Sequence, residues 1–178
     1  MERIGIIGGS GLYQLDGIKV IAEKALTTPF GEPSDKYMIA SLDGKEIVFL
    51  PRHGKKHCFS PSAINYRANI HGMKQLNVGR IISLSAVGSL KEELKPLDFV
   101  VPDQFFDRTR RPDQTFFDNG MVAHVSFAAP VCSDLADIVI AACKKAGVTV
   151  HAGGTYVNME GPQFSTLAES KLYRSWNM

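Results

Sequence analysis

An almost wholly apolar run at residues 3–8 opens the chain and stops at two glycines. Runs of this length and composition are typical of strands buried on both faces, so this one predicts a central strand followed by a glycine-rich turn. Two further runs, residues 36–42 and 45–51, flank Asp43-Gly44. Because Asp-Gly is a strong two-residue hairpin signal, the pattern predicts a buried strand and then a β-hairpin.

The segment at residues 61–77 has the apolar spacing of an amphipathic helix. Ser60 is its predicted N-cap, and Pro61 suits the first helical turn. The predicted inner face consists of Ile64, Ala68, Ile70, Met73 and Leu76. Residues 80–86 then predict another strand. A strand, a helix and a strand in this order indicate a crossover onto a sheet that is parallel at that point.

The second half of the chain carries weaker strand signals. Residues 99–102 predict a short strand, and residues 149–157 contain strand material that Gly153-Gly154 interrupts. Residues 107–120 are charged and punctuated by proline and glycine, which predicts a long exposed loop.

Two more helices are expected in this half, over residues 133–147 and 165–176. The first would be capped by Ser133 and the second by Ser165 or Thr166. Alternating strands and helices place the chain in the α/β class. We expect a single domain over residues 1–178, with a central mixed β-sheet flanked by helices.

Composition narrows the functional classes. The 178 residues are 44% hydrophobic and 21% charged, which is ordinary for a soluble globular domain. A net charge of +2 is too small to predict a nucleic-acid or membrane partner. Three cysteines without CxxC spacing predict buried thiols rather than disulfides or a zinc site. The N-terminus lacks the pattern of a signal peptide, so a cytoplasmic protein is expected.

Three segments with candidate chemistry stand at predicted strand ends. Gly8-Gly9-Ser10-Gly11 offers exposed amides and a hydroxyl, which suit an anion, or it is a plain tight turn. Arg52-His53 offers a guanidinium and an imidazole, or it is a basic surface turn. Ser85-Ala86 could complete the same anion site, or it could simply form the turn that follows the predicted strand. His57 is expected to cap nearby backbone rather than to line a pocket.

A fourth candidate segment precedes the last predicted helix. Phe164 could stack on a flat heterocycle, or it could act as a hydrophobic staple of that helix. Glu160 could accept hydrogen bonds from ligand hydroxyls or serve as a structural carboxylate. The four segments together indicate a site for phosphate and a small aromatic ligand.

Five segments resemble the trimeric type of the purine nucleoside phosphorylase superfamily, and within it most of all the 5'-methylthioadenosine phosphorylase branch. They occur in family order from residue 3 to about residue 175 and read IGIIGGSGLY, PRHGKKHCFSPSAINYRANI, LSAVGSL, DQFFDRT and GTYVNMEGPQFST. The resemblance implies phosphorolysis of a purine nucleoside, in purine and methionine salvage, without metal or organic cofactor. Inorganic phosphate would be the co-substrate, and the assembly a homotrimer or hexamer.

The resemblance also assigns roles to residues. The phosphate site would be formed by Ser10, Arg52, His53, Ser85 and the Ala86 amide. The nucleoside would be bound by Phe164 on the purine, by Ser165 near its edge, and by His124 reaching the 5' end of a neighbouring subunit's substrate. His124 could equally be an ordinary surface histidine.

Ser165 distinguishes two branches of the family. The branch that acts on 6-oxopurines has a glutamate at this position, which suits the N1–H of hypoxanthine or guanine. Adenine N1 is an acceptor and needs a donor, so a serine favours the 6-aminopurine branch.

The family pattern continues past residue 178 with a ribose-binding methionine and an aspartate that protonates the purine. The resemblance therefore implies weak or absent activity for these 178 residues alone, since general acid catalysis typically contributes roughly 10²- to 10⁴-fold. Three alternative functions remain: a 6-oxopurine nucleoside phosphorylase, an Arg-His-Gly histidine phosphatase that phosphorylates His53, and a non-catalytic nucleoside-binding remnant.

Overall fold

The computed structural model describes residues 2–9, 17–118 and 120–178. The chain forms two compact units. The first comprises Met1–Ala86 and Arg111–Phe116, and the second comprises Val87–Arg110 and Phe117–Met178. The expectation of one domain over residues 1–178 stays a prediction.

A five-stranded mixed sheet forms the first unit, in the order β2-β3-β4-β1-β5. Its strands are β1 (Arg3–Gly8), β2 (Lys19–Lys24), β3 (Tyr37–Leu42), β4 (Lys45–Pro51) and β5 (Val78–Ser83). β1 runs parallel to both β4 and β5, whereas β3 is antiparallel to β2 and β4. The predicted central strand, the hairpin and the parallel arrangement are therefore confirmed.

The hairpin turn shows why Asp-Gly connects β3 to β4. Asp43 and Gly44 have φ values of 48° and 75°. A tight two-residue hairpin loop needs positive φ at both central positions, which Gly and Asp tolerate better than most residues. β2 was not predicted, and it has a bulge between Val20 and Ala22 that disturbs the alternation.

The predicted helix at residues 61–77 is wrong at its start. Pro61–Ala63 is a single 3-10 turn, and the Ser60 side chain makes no capping hydrogen bond. Ile64 is extended, and the helix α1 spans Tyr66–Gln75. The Asn65 side chain caps it by accepting a hydrogen bond from the Ala68 N–H at 3.1 Å. The chain therefore restarts the helix at Asn65, a strong cap residue.

Both faces of the sheet bury apolar side chains. One cluster packs under α1 and contains Ile7, Tyr37, Ile39, Val48, Leu50, Met73 and Leu76. The opposite cluster contains Met38, Ala40, Ile47 and Phe49. Ile70, predicted to face the core, is 39% exposed, so the buried face of α1 is narrower than predicted.

The second unit contains two pairs of parallel strands and two helices. The strands are β6 (Phe99–Val101) with β8 (Val150–Ala152), and β7 (Gln104–Asp107) with β9 (Thr155–Asn158). The helices are α2 (Ser133–Lys145) and α3 (Leu167–Ser175). Strand β7 was not predicted, and the remaining strands and both helices lie where the sequence placed them. The α/β class is confirmed.

Several local predictions in this unit are corrected or sharpened. Cys132, not Ser133, is the N-cap of α2, and it makes no side-chain capping bond. Thr166 caps α3 in a capping box with Glu169. Gly153 and Gly154, both with positive φ, separate β8 from β9.

The cysteines do not behave as buried thiols. Cys58 and Cys132 are exposed and Cys143 is intermediate, so the expected burial of the three thiols is wrong. In the described ranges, no helix has the length and apolar character needed to span a bilayer.

Candidate active site

The carboxyl ends of β4, β1 and β5 lie side by side in the first unit. The Arg52 N–H, just after β4, donates to the Gly8 carbonyl at 3.1 Å. The Leu84 N–H, just after β5, donates to the Ile7 carbonyl at 2.8 Å. Loops that follow adjacent parallel strands are where α/β proteins usually bind ligands. This edge is therefore the candidate site.

The Arg52 side chain joins two of these strand ends. Its Nη1 donates to the Leu84 carbonyl at 3.0 Å, and its Nη2 donates to the Ser85 hydroxyl at 3.1 Å. Because β1 lies between β4 and β5, the guanidinium spans the end of β1. A guanidinium has five N–H donors, and these two contacts use two of them.

His53 sits in a compact turn formed by residues 51–59. The Gly54 N–H donates to the Pro51 carbonyl at 3.0 Å, and the His53 carbonyl accepts from the Phe59 N–H at 3.1 Å. The His53 Nδ1 lies 2.8 Å from the Phe59 carbonyl oxygen. Since a carbonyl only accepts, Nδ1 carries the hydrogen, and Nε2 is the nitrogen left to meet a ligand.

Ser85 and Ala86 follow the end of β5. The predicted strand at residues 80–86 is corrected, because β5 ends at Ser83 and Leu84 already donates its N–H to Ile7. The Ser85 hydroxyl accepts from Arg52 and lies 3.4 Å from the Ala86 carbonyl oxygen. Arg52 and Ser85 are thus brought together as an anion site requires.

The end of β1 itself leaves room for a ligand. Among the described residues, no atom lies within 4 Å of a Cβ added at Gly9, so none of them fills the space beside this glycine. Glycine permits a ligand to approach the backbone closely. Ser10, the fourth predicted side chain of the phosphate site, lies outside the described residues.

The predicted nucleoside residues belong to the second unit. Phe164 is 92% exposed, so it does not act as the hydrophobic staple of α3. The Ser165 and Ser170 hydroxyl oxygens are 2.7 Å apart and share a hydrogen bond. Phe164 therefore presents an unburied ring next to a hydroxyl, immediately before α3.

Two further polar residues of this unit differ in their surroundings. The Glu160 carboxylate accepts a hydrogen bond from the Arg110 N–H at 2.6 Å, which gives it a structural partner. His124 is exposed and lies outside any helix or strand. In the described part of the chain, no hydrogen bond or ring contact links it to Phe164 or Ser165.

A family model described as the phosphorylase superfamily matches residues 3–178. This chain belongs to the phosphorylase superfamily. The predicted similarity to the methylthioadenosine branch is also confirmed. S-methyl-5'-thioadenosine phosphorylase of Koribacter versatilis is 62% identical over 174 residues, which is 98% of this chain and 60% of the relative. The protein of that name from Geobacter sulfurreducens is 57% identical, over all of this chain and 63% of the relative.

Solved structures agree with this membership. A methylthioadenosine phosphorylase from an antarctic soil metagenomic library has a TM-score of 0.94 and 51% identity, covering 98% of this chain and 62% of the other. Methylthioadenosine phosphorylase from Schistosoma mansoni in complex with adenine has a TM-score of 0.94 and 36% identity, covering 100% and 72%. The chain thus spans about 60% of the length of the curated relatives it matches.

Sequence reasoning missed three contacts in this candidate site. The carbonyls of Leu84 and Phe59 orient Arg52 and His53, but every residue has a carbonyl, so the sequence held no signal for them. The third is His57, whose ring stacks on that of His53. The repeated histidine in the RHGKKH segment was the available signal for this contact, and the expected capping of nearby backbone by His57 stays a prediction.

Proposed function

We propose that the protein catalyses phosphorolysis of 5'-methylthioadenosine, giving adenine and 5-methylthioribose-1-phosphate. The observation that carries the proposal is Arg52, whose guanidinium reaches from the end of β4 across the end of β1 and donates to Leu84 and Ser85. Family membership and relatives of this name support the reaction class. Phosphate is the co-substrate.

In the proposed reaction, the C1'–N9 bond of the nucleoside breaks and a C1'–O bond to phosphate forms. The purine leaves with the electron pair of the broken bond and gains a proton, while the hydrogen phosphate dianion loses its one proton as its oxygen bonds to C1'. Positive charge develops on the ribose as the bond breaks. A phosphate dianion held by Arg52, His53, Ser85 and the Ala86 amide stabilises that charge and is positioned to attack C1'.

The role of Arg52 follows from its geometry. The Leu84 and Ser85 contacts hold its guanidinium before any ligand arrives, so binding costs little side-chain entropy. His53 offers Nε2 because Nδ1 is held by the Phe59 carbonyl. Ser10, which follows β1 in the sequence, is proposed as a further phosphate ligand.

The nucleoside specificity is proposed from Phe164 and Ser165. An exposed phenylalanine ring can pack on a purine face, and the Ser165 hydroxyl can donate to adenine N1. A glutamate in its place would repel adenine N1, which is also an acceptor. His124 is proposed to approach the 5' substituent across a subunit interface of a homotrimer or hexamer.

Product analysis tests the reaction. The protein is incubated with 5'-methylthioadenosine, with and without inorganic phosphate, and free adenine and pentose phosphate are measured by chromatography. Adenine and 5-methylthioribose-1-phosphate are expected in equal amounts and only with phosphate, and the 178 residues alone are expected to release them slowly. Free methylthioribose formed without phosphate contradicts the proposal.

Each alternative function predicts a different result in assays of this kind. Faster release of hypoxanthine from inosine than of adenine would indicate a 6-oxopurine phosphorylase. A stable phosphohistidine at His53 after incubation with a phosphomonoester would indicate a histidine phosphatase. Binding of methylthioadenosine and phosphate without any base release would indicate a non-catalytic remnant. The cytoplasmic location stays a prediction.

A further inference from the structure

The ring of His57 stacks on the ring of His53. The two centroids are 4.5 Å apart, and the ring planes differ by 22°. His53 is a proposed phosphate ligand, but no role follows for His57 from the proposed function. Both rings are carried by the turn at residues 51–59, directly after β4.

The backbone of His57 is unusual for this residue. Its φ is +53°, in the left-handed region that few non-glycine residues adopt. The turn is closed by the His57 N–H, which donates to the Gly54 carbonyl at 2.9 Å. A glycine would adopt this φ without strain, so the turn itself does not require histidine. The side chain therefore needs a separate explanation.

The explanation lies in how His53 is held. The contact between Nδ1 and the Phe59 carbonyl fixes one atom of the ring. A single hydrogen bond at Nδ1 limits rotation of the ring but still permits tilting within the angular range of that bond, and Nε2 moves with the tilt. A second ring packed on its face restrains the ring plane and hence the direction of Nε2.

We propose that His57 is a positioning residue that fixes the ring plane of His53 and thereby raises the affinity of the site for phosphate. This inference rests on the proposed function, since it takes His53 as a phosphate ligand. It concerns His57 acting through His53, so no direct contact between His57 and phosphate is required.

The test compares His57→Gly with His57→Phe by calorimetric titration of inorganic phosphate into the full chain. His57→Gly removes the ring and suits the positive φ, so the fold is kept. His57→Phe keeps a ring that can stack. Asn77→Gly is the matched control, because Asn77 also has a positive φ of 58° and lies in the turn before β5, at the opposite end of that strand from Ser85.

His57→Gly is expected to weaken phosphate binding about threefold to tenfold, as loss of an aromatic pair should. His57→Phe is expected to bind within about twofold of the unmodified protein. Asn77→Gly should bind phosphate unchanged. In proton–carbon NMR spectra, the His53 Cε1–H signal should move downfield in His57→Gly alone, because the shielding ring is gone.

Two outcomes overturn the inference in different ways. If the unmodified protein and His57→Gly bind phosphate equally, His57 has no positioning role and the proposed function is untouched. If the unmodified protein binds no phosphate, the phosphate site is wrong, and both the proposed function and this inference fall.

Discussion

Arg52 is oriented by atoms of its own chain before a ligand is present. Its two terminal nitrogens donate to Leu84 and Ser85, on the far side of β1 from the strand that carries it. Charged hydrogen bonds of this kind contribute more than neutral ones, and a fixed guanidinium loses little entropy on binding. At the residue scale, the proposed phosphate site therefore depends on one side chain more than on any other.

Phe164 provides a test of the proposed purine contact. Because its side chain is 92% exposed, Phe164→Ala should change the free energy of unfolding by less than about 0.5 kcal/mol. Loss of a stacking ring should weaken binding of methylthioadenosine about tenfold. Both quantities can be measured on one sample, by urea unfolding and by calorimetry with the nucleoside.

The control for this prediction is Leu167→Ala. Leu167 is 73% exposed and begins α3, three residues after Phe164. Its truncation removes apolar surface from the same region without removing an aromatic ring. Equal nucleoside affinity in Phe164→Ala and the unmodified protein would show that the ring does not contact the purine.

At the scale of elements, α1 packs against β3 through a glycine. A Cβ at Gly72 would lie 2.1 Å from the Tyr37 hydroxyl oxygen, and Tyr37 is completely buried. The Tyr37 hydroxyl donates to the Asn69 carbonyl of α1 at 2.9 Å. Contact this close leaves no space for a methyl group, so Gly72 sets the distance between helix and sheet.

Gly72→Ala should therefore destabilise the protein by about 3 kcal/mol or more, through overpacking. Alanine favours a helix over glycine by about 1 kcal/mol, so propensity alone predicts the opposite sign. The midpoint of urea unfolding measures the change. Lys74→Ala, on the exposed side of the same helix, should stay within about 0.5 kcal/mol. A Gly72→Ala protein as stable as the original would contradict this packing.

The elements predicted correctly are those in which the pattern of apolar residues matches the burial that the fold imposes. β1, β3 and β4 are apolar runs, and all three lie inside the sheet. β2 is an exposed edge strand with a bulge, so burial imposes no regular alternation on its sequence. The helix over residues 61–77 was extended too far because Pro61 suits a 3-10 turn as well as a helix start.

The candidate site also contains residues that the sequence predicts and contacts that it does not. Arg52, His53 and Ser85 were predicted because their side chains carry distinctive chemistry at strand ends. The carbonyls that orient two of them were not predictable, since they depend on how the loops fold. His57 stacks on His53 from a turn in which its own φ is positive, and the sequence does not indicate that turn geometry.

At the scale of the whole molecule, the segment Arg111–Phe116 belongs to the first unit although its neighbours in sequence belong to the second. Arg111 anchors it by donating to the carbonyls of Ser62 at 3.1 Å and Ile64 at 2.9 Å. The same guanidinium pairs with both Asp113 carboxylate oxygens, at 3.1 and 3.0 Å. The ion pair with Asp113 orients the Arg111 guanidinium so that it can donate to these two carbonyls.

The pair predicts a pH dependence of stability. The hydrogen bond from Arg111 holds the pKa of Asp113 below its ordinary value. Because the pKa is lower in the folded state, the pair stabilises the protein above the ordinary aspartate range and loses this effect as the pH falls through the folded pKa. Asp113→Asn should lower the urea midpoint at pH 7, and its difference from the unmodified protein should shrink below about pH 4. A difference that is the same at both pH values would contradict the account.

The chain spans about 60% of the length of its curated relatives, and the activity of the whole protein remains a proposal. Weak activity of the 178 residues alone and a homotrimeric or hexameric assembly also stay predictions. What the described residues supply is a set of strand ends in the first unit that gathers an arginine, a histidine and a serine. The binding of phosphate at these strand ends is therefore the central claim.

Calorimetric titration of inorganic phosphate tests that claim most directly. Arg52→Gln should weaken phosphate binding by about tenfold or more, because it removes charged hydrogen bonds to the anion. Arg80→Gln is the matched control, since Arg80 is an exposed arginine on β5 and its loss changes the net charge equally. The account predicts that Arg80→Gln binds phosphate nearly as well as the unmodified protein. Equal phosphate affinity in the Arg52→Gln variant and the unmodified protein would contradict it.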